Sequence, residues 1–276
     1  MPDELLTEAV LESTRDLDRR SAREILELIH TQDLVAARAV GQVLGAIERA
    51  VEVLVLALQG GGRWFNVGAG TSGRMGVLDA AEIPPTFGYP AERVQAIQAG
   101  GPDAVWRAKE GVEDQADEAR QELERRELLP GDAVVAISAS GRTPFTLAAL
   151  EEAARVGARR IAVSCDPSAP LCAVAEVTIA PEVGPEVIAG STRMKGGLAQ
   201  KMVLHLLSTT VMVRLGRVEG NQMTNLVPAS RKLESRALRI LSSLGGIEEE
   251  RARALLRECH GSVQDALARL RTASKG

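Results

Sequence analysis

The sequence predicts an α/β protein built on a five-stranded parallel sheet with helices on both faces, together with N-terminal helices and a small C-terminal unit of three helices. Five short apolar runs lie between residues 63 and 180, and most are separated by stretches with helical spacing. This alternation is typical of a parallel sheet covered by helices. The chain has 276 residues, of which 45% are hydrophobic. It can therefore bury one large core, or one core and a small additional unit.

The N-terminal helices are predicted over residues 21–59. Ser21 and Glu24 have the spacing of a capping box, and apolar residues recur on one helical face after them. Asp33 is a candidate N-cap for a second helix, whose apolar stretch AIERAVEVLVLALQ ends at the three glycines 60–62. Two helices are therefore expected before the first strand.

The five predicted strands are the apolar runs RWFNV, RVQAI, AVVAI, RIAVS and EVTIA, which begin at residues 63, 93, 133, 160 and 176. The stretch PFTLAALEEAARV, from residue 144, has helical spacing between the third and fourth strands. The last two strands are separated only by residues 165–175, which are too few for a full crossover helix. Residues 197–215 are predicted to form a buried helix after the sheet.

Three amphipathic segments follow from about residue 234, namely ESRALRILSSLGG, EEERARALLREC and SVQDALARLRT. They predict a unit of about 40 residues, which is close to the lower limit for independent folding. We therefore expect a sheet-containing domain over residues 1–233 and a helical unit over residues 234–276 that packs on another surface.

Composition argues against several classes of partner and site. The net charge of −4 and the aromatic content of 2% provide little for holding phosphodiester backbones or stacking bases, so nucleic acid is not expected as a partner. Cys165, Cys172 and Cys259 form no C-x-x-C pair and are odd in number. Neither a disulfide framework nor a thiolate zinc site is therefore expected, and a reducing compartment fits best.

The histidines argue against a metal site, and the N-terminal residues argue against a secretory signal. His30 and His260 lack partners at metal-ligand spacing, and His205 lies in an apolar helix, so no metal site is expected. The N-terminal stretch is acidic and polar, and no run approaches the roughly 20 apolar residues of a membrane span. The expectation is a cytoplasmic protein without a membrane partner.

A glycine-rich loop follows the first predicted strand. Gly68, Gly70 and Gly73 have the G-x-G-x-x-G spacing of a dinucleotide-binding loop. Such a fold also needs an acidic residue at the end of the second strand to hold the ribose hydroxyl. Here the second strand is followed by Ala99, Gly100 and Gly101, so the acid is missing and the spacing alone is weak evidence for a dinucleotide.

Hydroxyl side chains in this loop favour a different kind of ligand. Thr71 and Ser72 lie in it, and a second loop of the same chemistry, SASGRTP at 138–144, follows the third strand. Each loop places hydroxyls and backbone N–H groups at a helix N-terminus, which favours an anion. Each alone is equally compatible with a turn that a hydroxyl caps. Together, on neighbouring strands of one sheet edge, they favour a crevice for one compact phosphorylated ligand.

A third stretch, GPEVIAGSTRMKGGLAQK at 184–201, has the same character. It places hydroxyls and positive charges immediately before the predicted buried helix. The alternative interpretation is an ordinary loop and helix start with solvated basic residues.

Four ordered motifs carry a family resemblance: GAGTSGRMGVLDAAEIPPTFG, AVWRAKEGVED, AISASGRTPF and VGPEVIAGSTRMKGGLAQK. They resemble the SIS (sugar isomerase) domain family, which binds phosphosugars, and more specifically the N-acetylmuramic acid 6-phosphate etherase family. The resemblance covers nearly the whole chain and implies a SIS-type sheet and a UBA-like C-terminal unit. It also implies cleavage of the lactyl ether of N-acetylmuramic acid 6-phosphate in cell-wall amino sugar recycling. The candidate substrate-binding residues are Gly70, Thr71, Ser72, Arg74, Ser138, Ser140, Gly141, Arg142, Thr143, Glu186, Ser191, Thr192, Arg193 and Lys195.

The chemistry of that substrate defines what a catalyst must provide. In the ring-opened sugar the C2 proton lies next to the C1 aldehyde, and the lactyl oxygen on C3 is β to that aldehyde. Removing the proton lets the ether oxygen leave by elimination, and water then adds to the unsaturated aldehyde. One base and one acid are needed, and no redox cofactor or metal is required.

Two glutamates in the matching motifs are the candidates for these roles. Glu82 is expected to end the helix that begins at the first loop, because Pro84 and Pro85 follow it. The negative end of the helix dipole would favour a protonated carboxylic acid there. In agreement with the family role, Glu82 is assigned as general acid and Glu113 as the candidate base. Without the resemblance, Glu113 would be interpreted as one of several acids on an exposed helix.

The chain also departs from the family pattern. The N-terminal stretch keeps Thr7-Glu8 of the family pattern, but Val10 and Leu11 stand where the family has Arg-Asn. Residues 221–225 replace Asn-Leu-Met-Val-Asp with NQMTN. Both glutamates and both phosphate loops are kept. Two alternatives stay open at this point: a phosphosugar-sensing regulator that resembles the glucokinase regulatory protein, and an aldose-ketose phosphosugar isomerase.

A homodimer is expected from two unusually apolar helices. AIERAVEVLVLALQ and MVLHLLSTTVMV offer more hydrophobic surface than one sheet face consumes. Residues from both chains could then complete each site.

Overall fold

The computed structural model of the protein describes residues 7–226, 228 and 230–273. The strands are β1 (Trp64–Gly68), β2 (Val94–Gln98), β3 (Ala133–Ile137), β4 (Arg159–Val163) and β5 (Val177–Ile179). The helices are α1 (Ala22–Gln42), α2 (Leu44–Gln59), α3 (Gly70–Phe87), α4 (Asp103–Trp106), α5 (Ala116–Arg125), α6 (Pro144–Val156), α7 (Pro170–Ala173), α8 (Lys195–Arg214), α9 (Arg231–Gly245), α10 (Glu249–Glu258) and α11 (Val263–Ala273). Short 3₁₀ turns lie at Glu12–Thr14, Leu17–Arg19 and Val112–Asp114.

The five strands form one parallel sheet in the order β2-β1-β3-β4-β5. Gly68, at the end of β1, is in register with Gln98 of β2 and Ile137 of β3. The loops that follow β1 and β3 therefore leave the same edge of the sheet side by side. The predicted fold class is confirmed, including the short β5, which is reached through the four-residue α7.

Alternate side chains of the sheet enter two separate cores. Trp64, Val135 and Ile161 pack with residues of α1, α2, α3 and α8 on one face. Phe65 and Val134 pack with α5, α6 and α7 on the other. The apolar strands are thus buried on both faces, as parallel strands are in α/β proteins.

The N-terminal helices differ from the prediction at their junction. Ser21 and Glu24 form the predicted capping box at the start of α1. Asp33, however, is not an N-cap, because α1 continues through it to Gln42. No glycine or proline interrupts the stretch around Asp33, and the Thr31 hydroxyl donates its hydrogen bond to the carbonyl of Glu27 inside the helix. The junction between α1 and α2 lies at Val43 instead.

The end of α3 also corrects the prediction. The helix does not stop before Pro84 and Pro85 but includes both and ends at Phe87. A proline has a φ compatible with helix, although it lacks an N–H donor and its ring crowds the carbonyl four residues before it, so α3 tolerates both prolines one turn before its end. Gly88, with a φ of 57°, then closes the helix and donates its N–H to the carbonyl of Pro84 at 2.9 Å. Glu82 therefore lies before the last turn, and the dipole argument for its protonation no longer applies, since that effect falls off within the last turn.

The C-terminal helices α9, α10 and α11 enclose a small core of their own. Leu238, Leu241, Leu256 and Leu267 are buried in it, and Leu226 of the preceding segment joins them. The three predicted segments are thus helical. The boundary between residues 1–233 and 234–276 stays a prediction.

A buried carboxyl group joins α3 to α8. Ser208 of α8 donates a hydrogen bond of 2.8 Å to Oδ1 of Asp79, while Oδ2 has no partner among the described residues. Burial raises the pKa of Asp79 to about 6, although the Ser208 hydrogen bond and the charge of Lys201 act in the opposite direction. Asp79 therefore binds a proton more tightly in the folded chain than in the unfolded one.

This proton makes stability depend on pH. Because the folded pKa is raised from 3.8 to about 6, the contribution of Asp79 is fully present below the lower value and is lost as the pH rises through the upper one. We expect Asp79→Asn to remove this dependence, so that the free energy of unfolding of the variant, relative to that of the wild type, rises by about 2 kcal/mol between about pH 4 and 7. Denaturant unfolding across this range measures it, with the exposed Asp117→Asn as control. Parallel stability curves for Asp79→Asn and the wild type would contradict it.

Candidate active site

A cavity of about 320 Å³ lies at the carboxyl edge of the sheet. Most of its lining comes from the loop after β1, the loop after β3, the segment between α4 and the 3₁₀ turn at 112–114, the stretch around residue 190, and the N-terminal segment. The candidate residues that line it are Gly70, Thr71, Ser72, Arg74, Glu113, Ser138, Ser140, Thr143 and Thr192.

The first loop opens α3 directly into this cavity. Ala69 is extended and Gly70 has a φ of 53°, so the chain turns sharply from β1 into the helix. Thr71 and Ser72 then occupy the first helical turn, where N–H groups have no partner within the helix. Gly73 is required because a Cβ there would lie 2.2 Å from Oε1 of Gln98 and 2.5 Å from the carbonyl of Gly68. This close approach of helix and strand aims the helix N-terminus at the cavity.

The second loop is organised by its own hydroxyls. The side-chain oxygens of Ser138 and Thr143 lie 2.9 Å apart, and the N–H of Gly141 donates to the Ser138 hydroxyl at 3.0 Å. The N–H of Arg142 donates to Ser140 at 3.3 Å. These hydroxyls therefore shape the turn, and Ser138, Ser140 and Thr143 also line the cavity.

Two arginines of these loops have different neighbours. Arg74 donates to the backbone carbonyls of Ala104 and Val105 at 2.8 and 3.0 Å, so that it ties α3 to the opposite wall of the cavity. Arg142 is exposed, lies 3.8 Å from the carboxylate of Asp166 and does not line the cavity.

The third stretch divides into an exposed part and a buried part. Ser191 and Arg193 do not line the cavity, and Arg193 is exposed. Glu186 and Lys195 are each only 2% exposed and also lie outside the cavity lining. The carboxylate of Glu186 accepts the N–H groups of Lys195 and Gly196 at 3.1 and 2.9 Å, which caps the N-terminus of α8.

The Lys195 ammonium is held inside the protein. It donates to Oε1 of Gln32 in α1 at 2.6 Å. Burial lowers the pKa of Lys195, against the attraction of Glu186, and burial raises the pKa of Glu186, against the two backbone hydrogen bonds. This pair joins the third stretch to α1 and α8.

The two candidate catalytic glutamates are not brought together within one chain. Glu113 lies on the 3₁₀ turn at 112–114 and lines the cavity. Glu82 is exposed and does not line it. Glu82 lies twelve positions after Gly70 in α3, a distance of about 18 Å along the helix axis.

The cavity is also lined by five polar residues that were not among the predicted site residues, namely Thr7, Glu8, Gln98, Lys109 and Glu110. Thr7 and Glu8 belong to the N-terminal stretch that keeps the family pattern, which was the available signal for them. Gln98 lies at the end of β2, the position near which a dinucleotide-binding fold has an acidic residue for the ribose hydroxyl. Lys109 and Glu110 lie in the motif AVWRAKEGVED, but nothing in the sequence distinguished them from the other charged residues of that segment.

The described residues contain neither a metal-binding cluster nor a membrane-spanning helix. No group of three or more histidine, cysteine, aspartate or glutamate side chains in the described part of the chain has a geometry for holding a metal ion. Among the same residues, none of the helices combines the length and apolarity needed to cross a membrane.

Comparison with known families agrees with the geometry of this site. The SIS domain model matches residues 115–210, and the model of the glucokinase regulatory protein N-terminal SIS domain matches residues 46–154. These matches, together with the parallel sheet and the cavity at its carboxyl edge, identify a SIS domain protein.

Similarity to curated relatives extends over almost the entire chain. An N-acetylmuramic acid 6-phosphate etherase of Symbiobacterium thermophilum is 49% identical over 96% of this chain and 88% of its own. One of Rhodopirellula baltica is 43% identical over the same two shares, and one of Clostridium botulinum is 44% identical over 95% and 87%. The chain belongs to the N-acetylmuramic acid 6-phosphate etherase family.

More distant solved structures share the fold. A phosphoheptose isomerase from Francisella tularensis is 18% identical, with a TM-score of 0.53 over 70% of this chain and 99% of its own. A phosphoheptose isomerase from Neisseria gonorrhoeae is 16% identical, with a TM-score of 0.52 over 69% and 98%. These similarities concern the arrangement of strands and helices.

Proposed function

We propose that this chain is a carbon-oxygen lyase that cleaves the lactyl ether of N-acetylmuramic acid 6-phosphate. The products are N-acetylglucosamine 6-phosphate and D-lactate, and the reaction belongs to amino sugar recycling. The observation that carries the proposal is the identity of 43–49% to etherases over nearly the full chain. The cavity supports it, since Glu113 shares that cavity with both hydroxyl-bearing loops.

The 6-phosphate is bound by the two loops. The N–H groups at the start of α3 and the positive end of its dipole favour the dianion. Ser72 and Thr143 add hydroxyl donors from the two neighbouring loops. Because the rest of the cavity extends towards Glu113, a sugar anchored by its phosphate presents its carbon chain to that carboxylate.

Glu113 acts as the base. It takes the C2 proton of the ring-opened sugar, and the C3–O bond to lactate breaks as the C2–C3 double bond forms. The leaving oxygen receives a proton from a general acid. Water then adds at C3 and a proton returns to C2, so that atoms and charges balance. The elimination and the addition change no oxidation state overall, and a base and an acid suffice.

Glu82 acts as the acid in the cavity of a second copy of the chain. Its exposure and its distance from the cavity of its own chain support this arrangement. Apolar surface is available for a homodimer: Leu44 and Leu56 of α2 are 52% and 63% exposed, and a groove of about 510 Å³ runs between α2 and α8. A cytoplasmic location is proposed with this function.

Lactate release tests the activity. Incubation of the purified chain with N-acetylmuramic acid 6-phosphate is expected to yield D-lactate and N-acetylglucosamine 6-phosphate in equal amounts. Folded protein that binds the phosphosugar without releasing lactate would contradict the proposal and favour a sensor. Conversion to an isomeric sugar phosphate that keeps its lactyl group would favour an isomerase.

A further inference from the structure

The N-terminal segment before α1 forms part of the cavity wall. Thr7 is buried, and both Thr7 and Glu8 line the cavity together with Gly190 and Thr192 of the third stretch. A segment far away in sequence therefore contributes a carboxylate to the site.

Gly190 leaves the space that this carboxylate occupies. A Cβ at Gly190 would lie 2.9 Å from Oε2 of Glu8, and the φ of Gly190 is 75°. The stretch that carries Gly190 is tied to the first phosphate loop. The N–H of Gly197 donates to the carbonyl of Thr192 at 2.9 Å, and a Cβ at Gly197 would lie 3.3 Å from the Thr71 methyl group. Close packing at Gly190 and Gly197 thus places Glu8 beside the cavity wall formed by the first loop, which we call the phosphate-binding wall.

The Glu8 carboxylate has no hydrogen bond or ion pair with the residues that the structure describes, although it reaches the cavity. Two other acids of the N-terminal segment, by contrast, form ion pairs. Glu12 contacts Arg15 at 2.6 Å, and Asp16 contacts Arg20 at 2.7 Å. An ionised carboxylate only accepts hydrogen bonds. The unpaired Glu8 carboxylate can therefore accept hydrogen bonds from donor groups of a ligand bound in the cavity.

We propose that Glu8 is a substrate-binding residue that accepts a hydrogen bond from a neutral hydroxyl or amide N–H of the sugar. A carboxylate repels the phosphate and lactyl carboxylate, so its partner is the uncharged part of the ligand. Glu8 thereby distinguishes a phosphosugar from a smaller phosphate ester. The inference rests on the proposed function and adds a recognition residue to the same site.

Calorimetric titration of the full-length protein tests this role without turnover. The ligands are N-acetylglucosamine 6-phosphate and inorganic phosphate, and the variants are Glu8→Gln and the control Glu12→Gln. We expect Glu8→Gln to weaken binding of the sugar phosphate by about tenfold to a hundredfold, the range for a hydrogen bond to a charged group. Binding of inorganic phosphate and the thermal unfolding midpoint are expected to stay unchanged. Glu12→Gln removes the same charge from an exposed ion pair and is expected to change neither affinity.

Two results would overturn the role of Glu8. One is an unchanged affinity of Glu8→Gln for the sugar phosphate. The other is an equal loss for both ligands, which would mean that Glu8 only shapes the phosphate-binding wall. Neither depends on lactate release, so failure of the etherase activity with an intact Glu8 effect would count against the proposed function alone.

Discussion

Glu113→Gln is expected to lower kcat for lactate release by about 10² to 10⁴-fold, the range for loss of one general base. Glutamine keeps the size and polarity of the side chain but cannot accept the C2 proton. Binding of N-acetylglucosamine 6-phosphate is expected to change little, because we propose that the loops after β1 and β3, which line the same cavity, hold the phosphate. The loss should therefore appear in kcat and leave the Kd of the product nearly unaltered.

Asp114→Asn is the matched control for this experiment. Asp114 lies on the same 3₁₀ turn as Glu113 and is exposed, and it does not line the cavity. Its substitution removes the same charge one residue away and is expected to leave kcat within about twofold, as for surface changes outside a site. A second readout is the exchange of the C2 proton of the product with deuterated water, which Glu113→Gln should suppress. Retention of wild-type exchange and turnover in Glu113→Gln would show that another group is the base.

The regular elements could be predicted because their signals are local. β1 to β5 are short apolar runs, and the capping box at Ser21 marks the start of α1 within three residues. Two predictions of helix ends were wrong for the same reason. A residue that favours an end, such as Asp33 or the prolines after Glu82, was outweighed by the helix that continues around it.

The site could be predicted only in part. The two loops were placed side by side because parallel strands end at one edge of a sheet. Glu8 and Gln98 enter the same cavity from distant segments of the chain, and their place there depends on tertiary packing against Gly190 and Gly73. The sequence around Glu186 and Lys195 indicated binding chemistry, whereas the structure places both in the interior, where they anchor the start of α8. Spacing indicates which residues are near one another along the chain, and packing decides which way they face.

Glu82→Ala is also expected to lower kcat for lactate release by about 10² to 10⁴-fold, because it removes the proposed general acid. Alanine suits the exposed helical position of Glu82, so the fold and the affinity for inorganic phosphate should be kept. If the acid comes from a second copy, light scattering should give the mass of a dimer for both the wild type and the variant. A monomer with full activity would contradict the shared site.

Heterodimers distinguish a shared site from a site within one chain. We expect a dimer of one Glu82→Ala chain and one Glu113→Ala chain, isolated through two different tags, to recover about half of the wild-type kcat, because one of its two sites receives both intact glutamates. The control pairs Glu82→Ala with a chain that carries both substitutions, and it leaves neither site intact. If both glutamates served the same chain's cavity, neither heterodimer would recover activity. Recovery in the first pair alone would place Glu82, about 18 Å along α3 from its own phosphate loop, in the cavity of the partner.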